Sequence, residues 1–161
     1  MSDFLLYPIN NARRLCVSLD GMWKFQLNPK GEGAASQWPQ GLPDAVSVPV
    51  PSSFADLFTE RKTRDYTGDF WYETEFYVPA GGWNGELFLR FGSLTHRAAV
   101  YVNGKELAFH EGGFLPVAVR VSDAVRRDAP NRLVVRLNNE VNETSLPCGS
   151  VKVREDGAKL A

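Results

Sequence analysis

The sequence predicts an all-β chain, an antiparallel two-sheet sandwich of jelly-roll type. Three observations predict it. The chain of 161 residues carries 14 Gly and 10 Pro spread over its whole length, and between them lie short runs rich in Val, Phe, Tyr, Leu and Trp. No helical periodicity extends beyond about two turns. The count of eight or nine short strands is too large for a smaller sandwich to place.

Taken in order, Met22 to Leu27 and Val46 to Val50 read as the first strands, separated by a Gly- and Pro-containing loop from Gly31 to Pro43 that holds Trp38. From Phe70 to Val78 the alternation puts Phe70, Tyr72, Thr74, Phe76 and Val78 on a core face. Trp71, Glu73, Glu75 and Tyr77 fall on a face expected to be mostly wet, and Pro79 ends the strand. Glu86 to Phe91 turns Leu87, Leu89 and Phe91 inward. Asn103-Gly104 sits between two apolar runs from Arg97 to His110, and that dipeptide supplies positive φ at both centres of a type I′ hairpin turn. A strand from Leu115 or Pro116 to Val121 follows, then a single helical turn at Ser122-Asp123-Ala124-Val125 opened by Ser122, then Arg132 to Leu137 with Leu133, Val135 and Leu137 inside. The tail, Val151-Lys152-Val153, Glu155-Asp156-Gly157 and Ala158-Lys159-Leu160, reads as a hairpin cut short.

This length corresponds to one domain that buries roughly 70% of its unfolded surface, and it excludes a complete (β/α)₈ barrel, which needs about 250 residues. Lys plus Arg number 18 and Asp plus Glu 19, for a net charge of −1. No basic field draws the chain to nucleic acid or anionic lipid, and no apolar run approaches membrane-spanning length. An acidic residue, Asp3, stands where a signal peptide needs a basic one, and Pro8 breaks the apolar stretch after it, so the expected location is cytoplasmic. Cys16 and Cys148 are expected to be two unpaired thiols.

Few residues offer chemistry. His96 and His110 have no Ser or Cys in an elbow context, and with Cys16 and Cys148 they show no zinc-ligand spacing. No phosphate-binding glycine motif occurs, and neither a cofactor nor a metal is expected. Glu73 and Glu75 share one strand face about 6.8 Å apart along the backbone, within the range of glycosidase carboxylate pairs, but as surface acids on a wet face they are not expected to be catalytic. Aromatic residues make up 12% of the chain. Trp38 and Trp83, both in loops, are the candidate ligand-binding side chains, with loop-pinning as the competing role.

Several segments together resemble one family. They are Leu19-Asp20-Gly21-Met22-Trp23-Lys24-Phe25, Val48-Pro49-Val50-Pro51-Ser52-Ser53-Phe54, and Asp65-Tyr66-Thr67-Gly68-Asp69-Phe70-Trp71-Tyr72. Most specific are Leu89 through Gly104 and His110-Glu111-Gly112-Gly113-Phe114-Leu115-Pro116. From about residue 15 to about 150 the chain resembles the N-terminal domain of family 2 glycoside hydrolases. Asn138-Asn139-Glu140-Val141-Asn142 with Leu146-Pro147 makes it most similar to the β-glucuronidases within that family, while Pro147-Cys148-Gly149 departs from their pattern of a second proline.

The resemblance implies a galactose-binding-domain-like jelly roll, residues 1–161 forming a single sugar-binding or scaffold domain whose last strand lies beyond the sequence. In the family an immunoglobulin-like domain and a catalytic barrel follow, and the two glutamates of the retaining reaction are on the barrel. No residue here matches them, so the chain alone is expected to be inactive. The family's one contribution from this domain to the active site, an Asp in a His-Asp-Phe-Phe-Asn-like segment, is not reached before Ala161. Expected partners are the remaining domains of a parent hydrolase, carbohydrate, and a second copy of the chain recruited by an unpaired strand edge. Two other functions fit the residues: a free-standing carbohydrate-binding module, and an interaction domain docking in trans on a separate barrel.

Overall fold

The computed structural model describes residues 8–33, 35–81, 85–145, 148–150, 152–153 and 159–160. The strands are β1 (Gly21–Leu27), β2 (Val46–Val50), β3 (Asp69–Tyr77), β4 (Phe88–Phe91), β5 (Arg97–Val102), β6 (Lys105–Glu111), β7 (Val117–Arg120), β8 (Pro130–Asn138), β9 (Lys152–Val153) and β10 (Lys159–Leu160). Six of them form one antiparallel sheet in the order β2-β1-β3-β8-β5-β6, β4 pairs with β7 in a second sheet, and β9 with β10 in a third.

The alternation read from the sequence builds the sandwich. Phe25, Phe70, Tyr72, Val100, Leu133 and Val135 project from the large sheet against Leu89 and Val119 of β4–β7, with Val121 just beyond, in one apolar core. Two one-turn helices that the sequence reading did not anticipate, α1 (Phe54–Leu57) and α2 (Arg61–Arg64), cross between β2 and β3. Their purpose in packing is aromatic: Phe54 and Phe58 stack on Phe25 at 5.4 and 5.8 Å, and Phe54 meets Phe70 edge-on at 4.9 Å.

The Asn103-Gly104 turn forms as expected, with φ of 52° and 84°. Asn103 also wires the turn to its surroundings, its Nδ2 donating to Ala124 O and Asn131 Oδ1 at 2.9 Å while its Oδ1 accepts from Arg132 N at 3.0 Å. Between Tyr101↔Glu106 and Val100↔Ala108 the pairing skips Leu107, so β6 carries a bulge there. Elsewhere the expected strands shift at their ends. The strand within the 86–91 run begins at Phe88, with Val121 N donating to Leu87 O just before it, and the turn after Val121 forms through Ala124 N and Val125 N to Val121 O. Ser122 does not cap that turn; its hydroxyl accepts from Leu87 N at 2.9 Å and donates to Glu86 Oε2 at 2.7 Å, tying the turn to the entry of β4. The tail strands β9 and β10 pair as the sequence suggested, while Glu155-Asp156-Gly157 between them lies outside the described residues.

The largest correction concerns the second face of β3. Trp71 and Glu73, expected in solvent, are buried, at 0% and 1% exposure. The reason lies in segment 35–45, which crosses that face: Leu42, Trp38 and Ala45 cover Trp71, Ala99, Tyr101 and Val134 in a second core. The large sheet is thus buried on both sides at its middle, and only Glu75 and Tyr77, past the edge of the cover, remain exposed.

Candidate functional site

The covered sheet face is where the chemistry-bearing side chains gather. Because residues two apart on a strand share a face, the register lays out rows across the sheet. One row runs Phe109, Ala99, Arg136, Trp71, and the next Glu111, Arg97, Asn138, Asp69. On the other side of the cover lie Lys24, Glu73 and Arg132.

Glu73 anchors the cover. Its Oε1 accepts from Lys24 Nζ at 3.0 Å and lies 3.2 Å from Arg132 Nε; its Oε2 accepts from Leu42 N at 2.7 Å. A buried carboxylate is tolerable when paired and hydrogen-bonded in this way. Arg132 completes the clamp through Gln40 O and Glu75 Oε1, the latter at 3.3 Å. Both oxygens of Glu73 are therefore engaged by the fold, and Glu75 sits on the same guanidinium. A retaining glycosidase needs one carboxylic acid and one free nucleophilic carboxylate, and this pair supplies neither. Beside it, Met22, Lys24, Ser47 and Glu75 line an open cleft of about 340 Å³.

On the far side of the cover, Arg97, Ala99, Phe109, Arg136 and Asn138 line a shallow groove of about 160 Å³. Arg136 donates to Asp69 Oδ2 through Nε at 3.1 Å and Nη2 at 2.7 Å. Arg97 reaches Asn138 Oδ1 at 3.1 Å and the Glu140 carbonyl at 3.4 Å, both through Nη2. Tyr101, at the covered end, has its phenol pushed up to about 12, first by burial and then by Glu106.

The sequence-proposed aromatics are not brought together. Trp38 is half-buried and meets Trp71 edge-on at 5.8 Å, which places its ring in the cover. Trp83 lies outside the described residues, as do Leu146 and Pro147. His96 is buried and His110 half-buried, and Cys16 and Cys148 are free thiols. Among the described residues no group of three His, Cys, Asp or Glu could hold a metal ion. Sequence reasoning missed Arg97, Phe109 and Arg136 as a set, because only the cross-strand register shows that three separate strands bring them side by side.

Residues 16–146 match the family model described as the sugar binding domain of glycosyl hydrolases family 2. The chain belongs to that family. It is 37% identical over 154 residues to a β-glucuronidase of Paenibacillus borealis, covering 94% of this chain and 26% of that protein. To a human β-glucuronidase it is 34% identical over 169 residues, covering 96% and 26%. Among solved structures, a Ruminococcus gnavus β-glucuronidase superposes with a TM-score of 0.89 at 57% identity, over 100% of this chain and 27% of that one. A structure of the R. gnavus enzyme in complex with D-glucuronic acid gives 0.88 at 59% identity, over 96% and 27%. The chain thus spans about a quarter of the length of the relatives it matches. The family 2 domain here is a β-sandwich, and what it presents to solvent on its outer face is one cover segment flanked by a cleft and a groove.

Proposed function

We propose that this family 2 sugar-binding domain is the N-terminal, non-catalytic part of a β-glucuronidase-like retaining glycoside hydrolase. The observation that carries the reading is the match of residues 16–146 to the family model, joined to relatives named β-glucuronidase that extend well past the matched region. The site chemistry agrees with a non-catalytic role, since both oxygens of Glu73 are engaged within the fold, Oε1 by Lys24 and Oε2 by Leu42 N of the cover, and Glu75 shares its arginine. On this reading the parent hydrolyses terminal β-glucuronides or β-galactosides on a barrel encoded elsewhere in the polypeptide. The partners of the domain are that barrel, an immunoglobulin-like domain, carbohydrate, and a second copy of the chain through the outer edge of β6.

Two measurements test it. Reading the open frame past Ala161 is expected to show a barrel with two catalytic glutamates; a stop codon overturns the parent reading and favours a free-standing module. The 161-residue chain is expected to release no aryl group from an aryl β-glucuronide. Turnover that is lost in Glu73→Gln or Glu75→Gln would overturn the non-catalytic assignment.

A further inference from the structure

The Asn103-Gly104 turn carries a reactivity that its role as a hairpin corner does not use. An asparagine followed by glycine is open to attack on its own side chain, because the glycine nitrogen has no neighbouring Cβ to hinder it. The sequence holds two such dipeptides, Asn84-Gly85 and Asn103-Gly104, and Asn84 lies outside the described residues. In the reaction the Gly104 backbone nitrogen bonds to Asn103 Cγ while the Cγ–Nδ2 bond breaks, and ammonia leaves with the proton that nitrogen gives up. Water then opens the cyclic imide. Addition at Cγ leaves aspartate in an unaltered backbone, and addition at the α-carbonyl leaves isoaspartate, with the main chain rerouted through Cβ and Cγ.

The fold holds the reacting atoms apart. The imide ring closes only when Cβ and the next nitrogen come to the same side of the Cα–C bond. Asn103 and Gly104 instead have φ of 52° and 84°, and the ψ of about +30° that a type I′ turn gives its first central residue places Cβ nearly opposite the following nitrogen. Four hydrogen bonds keep the side-chain amide from swinging across: Nδ2 donates to Ala124 O and Asn131 Oδ1, both at 2.9 Å, and Oδ1 accepts from Arg132 N at 3.0 Å and Arg126 Nη2 at 3.1 Å. Gln40 of the cover packs on Gly104, its Cγ 3.0 Å from where a Cβ would stand. The backbone N–H of Asn103 donates to Arg132 O at 2.9 Å, so main chain and side chain both tie the residue to β8.

We propose that Asn103 is a guarded modification site: it deamidates only when the β5–β6 corner opens away from segment 124–132, and each event then prevents that corner from closing again. The products explain the second half. An aspartate puts an oxygen with no proton to give where Nδ2 faced two acceptors, and Asn131 cannot turn to help because its own Nδ2 is committed to Arg126 O and Ala129 O. An isoaspartate adds one atom to the main chain inside a two-residue turn whose length sets the hairpin register. Brief openings therefore accumulate as permanently loosened corners.

The test incubates the 161-residue chain in a mildly alkaline buffer, native and in urea, and follows conversion at Asn103 and Asn84 by peptide mass mapping with isoaspartate detection. In urea the two sites are expected to convert at rates within about threefold of each other. In the native chain Asn103 is expected to slow at least about a hundredfold, matching the slowing of hydrogen exchange at its own amide to within about tenfold, because both wait for the same opening. Asn131→Ala is expected to speed both by the same factor. Native conversion as fast as in urea overturns the proposal, as does slow conversion in urea at Asn103 alone, or exchange that Asn131→Ala speeds without speeding conversion. Chains aged in urea, refolded and treated with protease are expected to carry modified Asn103 almost wholly in the digested fraction. Equal shares in the digested and intact fractions would overturn the claim that the corner cannot reclose.

Discussion

Glu73 Oε2 accepts the amide proton of Leu42 at 2.7 Å, joining the middle of β3 to a segment 31 residues earlier in the chain. The same carboxylate holds Lys24 and sits against Arg132, whose guanidinium in turn donates to Gln40 O, so Glu73 is at the centre of the polar clamp that fastens the cover to the sheet. Glu73→Leu is expected to destabilise the domain by about 2–3 kcal/mol, because it strands a buried N–H and uncouples a clamped arginine whose partial exposure softens the loss. Lys24→Met, at a half-exposed partner, is expected to change stability by less than about 1 kcal/mol. Urea midpoints check both. Amide exchange at Leu42 is expected to speed up only in the first variant, and an unchanged midpoint in Glu73→Leu would refute the clamp.

Gly33 lies where the cover leaves β1. A Cβ there would stand 2.6 Å from Trp38 Cε3 and 2.9 Å from Trp71 Nε1, too close for a packed ring pair to absorb without moving. Gly33→Ala is expected to cost about 1–3 kcal/mol through overpacking. Tryptophan emission should shift as the Trp38–Trp71 edge contact opens, and thermal unfolding measures the loss. A wild-type midpoint with wild-type emission would show that the cover yields freely.

Asn131 is fully buried and uses its amide on both sides. Its Oδ1 accepts from Arg126 N at 2.6 Å and Asn103 Nδ2 at 2.9 Å, and its Nδ2 donates to Arg126 O at 2.7 Å and Ala129 O at 3.1 Å. Asn131→Ala leaves those partners unsatisfied and is expected to destabilise by about 2–4 kcal/mol, read from denaturant midpoints. Asn131→Asp keeps the acceptor but loses the donor, and an intermediate effect would assign the loss to the hydrogen bonds.

Tyr72 is buried in the main core, and that burial pushes its phenol up to about 12 from an ordinary 10. Tyrosine is neutral in its protonated form, so the raised folded value contributes stability that is complete below pH 10 and disappears as pH rises to about 12. The loss is on the order of 2–3 kcal/mol. Tyr72→Phe is expected to hold wild-type stability at pH 7 to within about 1 kcal/mol and to flatten this alkaline decline. An equal decline in the variant would place the alkaline sensitivity elsewhere, with Tyr101 the next phenol to replace.

The parts of the fold that were legible in the sequence are those set by local chemistry. Asn103-Gly104 specified its own turn, and Leu133, Val135 and Leu137 follow the two-residue alternation of β8 onto the main core. Trp71 and Glu73 were misread because alternation assigns a residue to a face but not the face to solvent. What covers that face arrives from residues 35–45, and the decisive bonds, Leu42 to Glu73 and Gln40 to Arg132, connect positions far apart in the chain. The groove was invisible for a related reason: Phe109, Ala99 and Arg136 are neighbours only through register.

The skipped residue at Leu107 makes the orientation of Phe109 a matter of counting. Removing the codon for Leu107 would restore even pairing with Phe109 still opposite Ala99 on the outer face, whereas straightening the bulge with every residue kept would carry the ring opposite Ala98 and into the interior. The bulge is thus a reserve of one position: the hairpin can lose it and keep its register, while a second deletion before Phe109 would turn Phe109, His110 and Glu111 each to the opposite face of the sheet.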